Sequence, residues 1–139
     1  MILVYMASPY THKSARVRHK RFVDVTKAGA KLKEAGFAVV LPITTSVPMV
    51  KYSGLKSTWE DWKDNDLEFL SCCDALVVLK LDGWKESIGV KAEMVFADQH
   101  LIPIFEVENT DEDINRVIEL LRRNAFHLDP AHPERKRRS

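Results

Sequence analysis

Cysteine is almost missing from this sequence: two residues in 139, and they are neighbours, Cys72 and Cys73. Adjacent cysteines do not pair with each other in ordinary geometry, so no cross-link supports the fold, and both thiols are expected to sit reduced beneath a strand. Histidine is scattered (His12, His19, His100, His127 and His132), and without a second cysteine cluster no metal-ligand spacing forms. Glycine occurs five times, never as G-x-G-x-x-G or a P-loop, which disfavours dinucleotides and triphosphates. No cofactor is implied. No apolar run approaches the roughly 18 residues of a membrane span, and the opening MILVYMA enters a strand with no basic region ahead of it. A cytoplasmic protein without membrane contact is therefore expected. The formal net charge is +1, so no general excess of basic charge invites nucleic acid. The only marked imbalance is the terminal RKRR, read as a solvated end.

Apolar runs and helical periods are what the chain does have. Residues 2–7 form a continuous apolar run, expected as a central parallel strand that ends in Ser8-Pro9-Tyr10-Thr11-His12. A helical pattern follows over 14–34, with Phe22, Val25, Ala28 or Gly29, and Leu32 on one stripe and Gly36 as its close. The spacing predicts a second strand at 37–41, broken by Pro42. Residues 43–57 show no sustained period and are expected to be a long loop. A helix over 58–72, a strand at 75–79, a loop at 83–87, a helix to about 100, a strand at 101–107 and an amphipathic helix over 111–124 complete the series. Strand and helix alternate four times. That pattern predicts a single-domain α/β fold over residues 1–128, a three-layer, doubly wound, mostly parallel sheet of four to five strands like that of flavodoxins or Rossmann folds, with 129–139 as a basic tail. Ligands in such sheets bind beyond the carboxyl ends of the strands. The expected rim contains residues 5–12, 42–45 and 82–89.

Two carboxylates stand where the helical period puts apolar residues. In the 58–72 helix the stripe runs Trp59, Trp62, Asp66, then Phe69 or Leu70, so Asp66 is paired, protonated or lining a cleft. In the helix after residue 87, Glu93 lies between Gly89 and Ala97 on one face. Ser87 is a good N-cap, and Gly89 leaves the first turn without a side chain, so that helix end is a place for an anion. A nucleophilic carboxylate and a second carboxyl of raised pKa are what cleavage of a glycosidic bond needs, with a nucleobase as one such leaving group. Trp59, Trp62 and Trp84 are available to stack on a base, although packing is the commoner role. Arg16, Arg18 and Arg21 read most simply as a solvated face.

The strings Y-M-A-S-P-Y at the end of the first strand, N-D-L at residues 65–67 and S-x-G-V-x-x-E at 87–93 resemble the nucleoside 2-deoxyribosyltransferase superfamily. The likeness spans about residues 2–107 and is nearest to its small bacterial and phage members and its deoxynucleoside 5′-monophosphate N-glycosidase branch. It implies a nucleophile at Glu93 that forms a covalent deoxyribosyl intermediate, an acid at Asp66 and an orienting phenol at Tyr5. It also implies a phosphate held by Ser87 and Gly89 at the helix end, with Ser8 and Pro9 on the rim. Ser87 stands where transferases acting on unphosphorylated nucleosides tend to carry an acid, and a hydroxyl there can donate to a phosphate. The Gly-rich, Arg-containing loop of the hydrolase branch is replaced by SPYTHKSAR, leaving His12, Arg16 and Arg18 as candidate basic partners. The expectation is an N-glycosidase of 2′-deoxynucleoside monophosphates, a base-exchanging transferase or a non-catalytic nucleotide sensor being the alternatives. A homodimer or higher assembly is expected, because the family borrows pocket residues from a neighbouring subunit.

Overall fold

A computed structural model describes residues 1–129 and 131. All but the first residues of the 129–139 tail, the RKRR run included, lie outside that range. The chain runs β1 (Leu3–Ala7), α1 (Ala15–Glu34), β2 (Ala38–Val40), α2 (Pro42–Ser53), α3 (Trp59–Ser71) and β3 (Ala75–Leu79). A 3-10 turn (Trp84–Glu86), α4 (Ile88–Gln99), β4 (Ile104–Val107), α5 (Asp111–Arg123) and the short α6 (Ala125–Leu128) follow. The four strands lie in the order β2-β1-β3-β4, and every pairing is parallel. β1 and β3 occupy the centre and are covered on both sides, which is why they read as unbroken apolar runs rather than alternating ones.

Alternate residues of these strands feed two separate cores, as the two-residue period of a strand requires. Val4, Met6, Ala75, Val77 and Leu79 meet Val25, Ala28 and Leu32 of α1 and Ile114, Val117 and Leu121 of α5. On the opposite face Tyr5, Ala7, Leu76 and Val78 meet Leu70 of α3 and Val90 and Ala97 of α4. The result is the three-layer α/β architecture of Rossmann- and flavodoxin-like folds. Capping follows the sequence closely. Ser14 accepts from the Val17 N–H at the start of α1, Thr58 and Asp61 form a capping box on α3, and Gly36 at φ +104 closes α1.

Two expectations are corrected. The predicted loop at 43–57 is largely helix: Pro42 occupies the first turn, where its missing N–H costs nothing, and Gly54 at φ +72 ends α2. Its period was invisible because no residue of α2 is buried, so packing imposes no apolar stripe, and Pro48 inside it reads as a breaker. The cysteines also divide. Cys73 is buried and its thiol donates to the Phe69 carbonyl at 3.2 Å, but Cys72 is exposed at the end of α3. One position of helical phase separates buried from exposed, and for the same reason Leu70 rather than Phe69 takes the inward place on α3.

Candidate active site

Tyr5 is the middle residue of β1, in register with Val40 on one side and Leu76 on the other. Its side chain enters the α3/α4 layer and is fully buried. α4 supplies Glu93 to the same layer. The carboxylate falls between Val90 and Ala97 on the buried stripe and is only 5% exposed, so the helical period seen in the sequence holds in three dimensions. Asp66 arrives from α3, which packs on α4, and is half-buried. Among the described residues no arginine salt-bridges it; the Asn65 side-chain amide reaches its Oδ1 at 3.3 Å. Three acidic or phenolic groups, distant in sequence, thus share one layer.

Their charges sense one another. Burial pushes the Glu93 carboxyl up to about 8, with the Tyr5 hydroxyl opposing that rise and the Asp66 charge adding to it. Burial also raises Asp66 above the ordinary aspartate range, with Asn65 acting against it. Tyr5 is held far above the usual phenol range, by burial first and then by the charges of Glu93 and Asp66. It is therefore a hydrogen-bond donor and never a phenolate at working pH. The phenol and the Glu93 carboxyl are near enough to interact, yet neither Tyr5 Oη nor Glu93 Oε2 makes a hydrogen bond of ordinary geometry. Buried polar atoms without partners are rare and cost about 1–3 kcal/mol each. Ser8 Oγ, just beyond β1, is a third such atom.

Asp66 opens onto a cavity of about 300 Å³ at the carboxyl end of β2, whose wall includes Val40, Leu41, Thr44, Thr45 and Phe69. Its lining combines apolar side chains with hydroxyl and amide groups. A second hollow, of about 270 Å³, runs along residues 80–86 and holds none of the three groups.

The other predicted residues are distributed less simply. Ser87 caps α4, its Oγ accepting from the Val90 N–H at 3.3 Å. By helix geometry the N–H groups of Ile88 and Gly89 have no partner along the helix. Gly89 does not leave open space, however. A Cβ there would lie 3.3 Å from the Trp59 ring, so the glycine seats an indole where bare backbone was expected. Pro9 is buried beside Ser8. His12 Nδ1 accepts the Ser14 N–H at 3.0 Å, Arg18 donates to the His12 carbonyl, and Arg16 is exposed. Among the described residues, no hydrogen bond or ion pair joins these three to Tyr5, Asp66 or Glu93. Arg21, read from the sequence as part of a solvated face, instead donates to the carbonyls of Thr11 and Asp82. Nothing in the helical pattern marked it, because its partners are backbone atoms of loops.

No cluster of three metal-ligating side chains occurs among the described residues, and no described helix is long and apolar enough to cross a membrane. No curated protein sequence matches the chain. Among solved structures it is similar to a 2-deoxyribosyltransferase from the psychrotolerant bacterium Bacillus psychrosaccharolyticus, with a TM-score of 0.57 and 24% identity over 84% of this chain and 79% of that one. Likeness at that level speaks for the fold. In sequence, residues 2–109, most of the chain, match the domain of unknown function DUF1937, and the protein belongs to that family.

Proposed function

We propose that this protein cleaves the N-glycosidic bond of 2′-deoxynucleoside 5′-monophosphates, with Glu93 as nucleophile and Asp66 as general acid. The observation that carries this reading is the mutual electrostatic coupling of Tyr5, Asp66 and a buried Glu93 in one layer, with Asp66 lining a cavity of about 300 Å³. Asp66 gives its proton to the departing base nitrogen as the C1′–N bond breaks, and a Glu93 carboxylate oxygen bonds to C1′. Water then attacks C1′, the ester to Glu93 breaks, and the water's proton returns to Asp66. The products are the free base and 2-deoxyribose 5-phosphate.

Burial keeps a proton on Glu93 up to about pH 8. Attack requires the charge on Glu93 and the proton on Asp66, so the productive state is a minor form of the singly protonated pair. Tyr5 helps it form, because a phenol hydroxyl beside Glu93 opposes the rise that burial imposes on that carboxyl. The Ser87 end of α4 is the place proposed for the 5′-phosphate. Base exchange is the second reading, supported by fold likeness to a 2-deoxyribosyltransferase. There the same intermediate is captured by another base in place of water.

Each deoxynucleotide and each deoxynucleoside is incubated with the protein and free base is followed by chromatography. Base released from the nucleotides, lost in Glu93→Gln and slowed about 10²- to 10⁴-fold in Asp66→Asn, is the expected result. No release from any compound, or undiminished release by Glu93→Gln, overturns the proposal. A new nucleoside formed when an acceptor base is added assigns transfer instead.

A further inference from the structure

From β1 the chain steps outward to β2, and from β3 it steps the other way to β4. The crevice between the carboxyl ends of β1 and β3 is thus the switch point at which ligands settle in folds of this class. Its walls are the two exit loops, which no strand pairing holds together. Arg21, on α1, spans them. Its Nη1 donates to the Thr11 carbonyl at 3.0 Å and lies 3.5 Å from that of Tyr10. Its Nη2 donates to the Asp82 carbonyl at 2.7 Å, across 61 positions of sequence. One turn earlier Arg18 holds the His12 carbonyl, so α1 grips the β1 loop twice and the β3 loop once.

Gly83 is fitted to this bridge. It sits at φ +89, and a Cβ there would stand 2.6 Å from Arg21 Nη2. Among the described residues Arg21 makes no ion pair. Its donors are committed to loop backbone on both sides, which is the behaviour of a strut.

We infer that Arg21 is a positioning residue, a guanidinium strut that sets the separation of the β1 and β3 exit loops and hence the width of the crevice that receives the sugar phosphate. The substrate in that statement rests on the proposed function; the strut does not. A planar fork with donors pointing two ways can hold two loops, whereas an ammonium of equal charge reaches one.

Arg21→Ala and Arg21→Lys are compared with the unaltered protein by amide hydrogen exchange over residues 10–14 and 82–87, and by steady-state kinetics on a deoxynucleotide. Faster exchange in both loops is expected in both variants, with KM raised about tenfold and kcat changed by less than about twofold. Lysine should do no better than alanine. Unchanged exchange in either loop, or restoration by lysine, overturns the strut, and the lysine variant carries the test if the alanine variant does not fold. Should the unaltered protein release no base, the functional reading falls while the exchange comparison still decides the role of Arg21.

Discussion

Replacing Glu93 by glutamine should make the protein more stable, by an amount that grows with pH. The unfolded chain ionises this carboxyl near 4.5, while burial holds it protonated up to about 8 in the folded state. Between those values the native protein binds more protons than the unfolded one, so raising the pH removes stability until the folded group has titrated. At 1.36 kcal/mol per pH unit the penalty is roughly 4–5 kcal/mol above pH 8, about 3 at pH 7 and small near pH 5. With the side chain 5% exposed, solvent screening relieves little of it. Glutamine has nearly the same shape, cannot ionise, and offers the Tyr5 hydroxyl an acceptor. Urea unfolding of both proteins at pH 5, 7 and 8.5 reads the difference directly. A gap that widens with pH, worth on the order of 10 °C in Tm at pH 8.5, is the expected result. A gap independent of pH, or a glutamine variant less stable at pH 8.5, would show that Glu93 is ionised in the resting protein and refute the reasoning.

The pH dependence of kcat/KM should be bell-shaped, because the carboxyl pair must hold one proton: activity declines above about pH 8 as that proton leaves Glu93. It also declines at low pH, as Asp66, itself raised by burial, takes up a second one. Activity still climbing at pH 10 would contradict this. Leu101 adopts φ +57 while 87% exposed, so Leu101→Asn should stabilise by about 1 kcal/mol, measured as a Tm a few degrees higher; a lower Tm would mean that the leucine packs usefully. Met49, Tyr52, Leu55 and Phe69 are exposed apolar residues on or near α2 and α3. Sedimentation at micromolar concentration should accordingly give at least a dimer mass, and a monomer mass would remove that expectation.

Glu93 and Asp66 were legible from the sequence for one reason. A helix places every third or fourth residue on one face, so an acid embedded in an apolar stripe declares its direction without knowledge of what it meets. Local chemistry likewise marked Ser87 as a cap, and unbroken apolar runs marked the central strands as double-sided. The helical period failed at α2, where nothing is buried to create a period, and at Cys72, where the position at the end of a helix decides exposure; the choice it left open between Phe69 and Leu70 falls to Leu70. It also gave no sign that the fold brings Trp59 against Gly89.

What the sequence determined by itself, then, was local: the alternation of strands and helices, their caps, and the inward aim of two acids. Tertiary structure alone decided that β1 lies between β2 and β3, that Tyr5, Asp66 and Glu93 share one layer, and that Arg21 ties together loops 61 positions apart. Periodicity and capping are properties of neighbouring residues. Strand order and loop contacts come from the packing of whole layers, and a backbone carbonyl that accepts from a distant arginine is the same atom in every residue, so no side chain announces it.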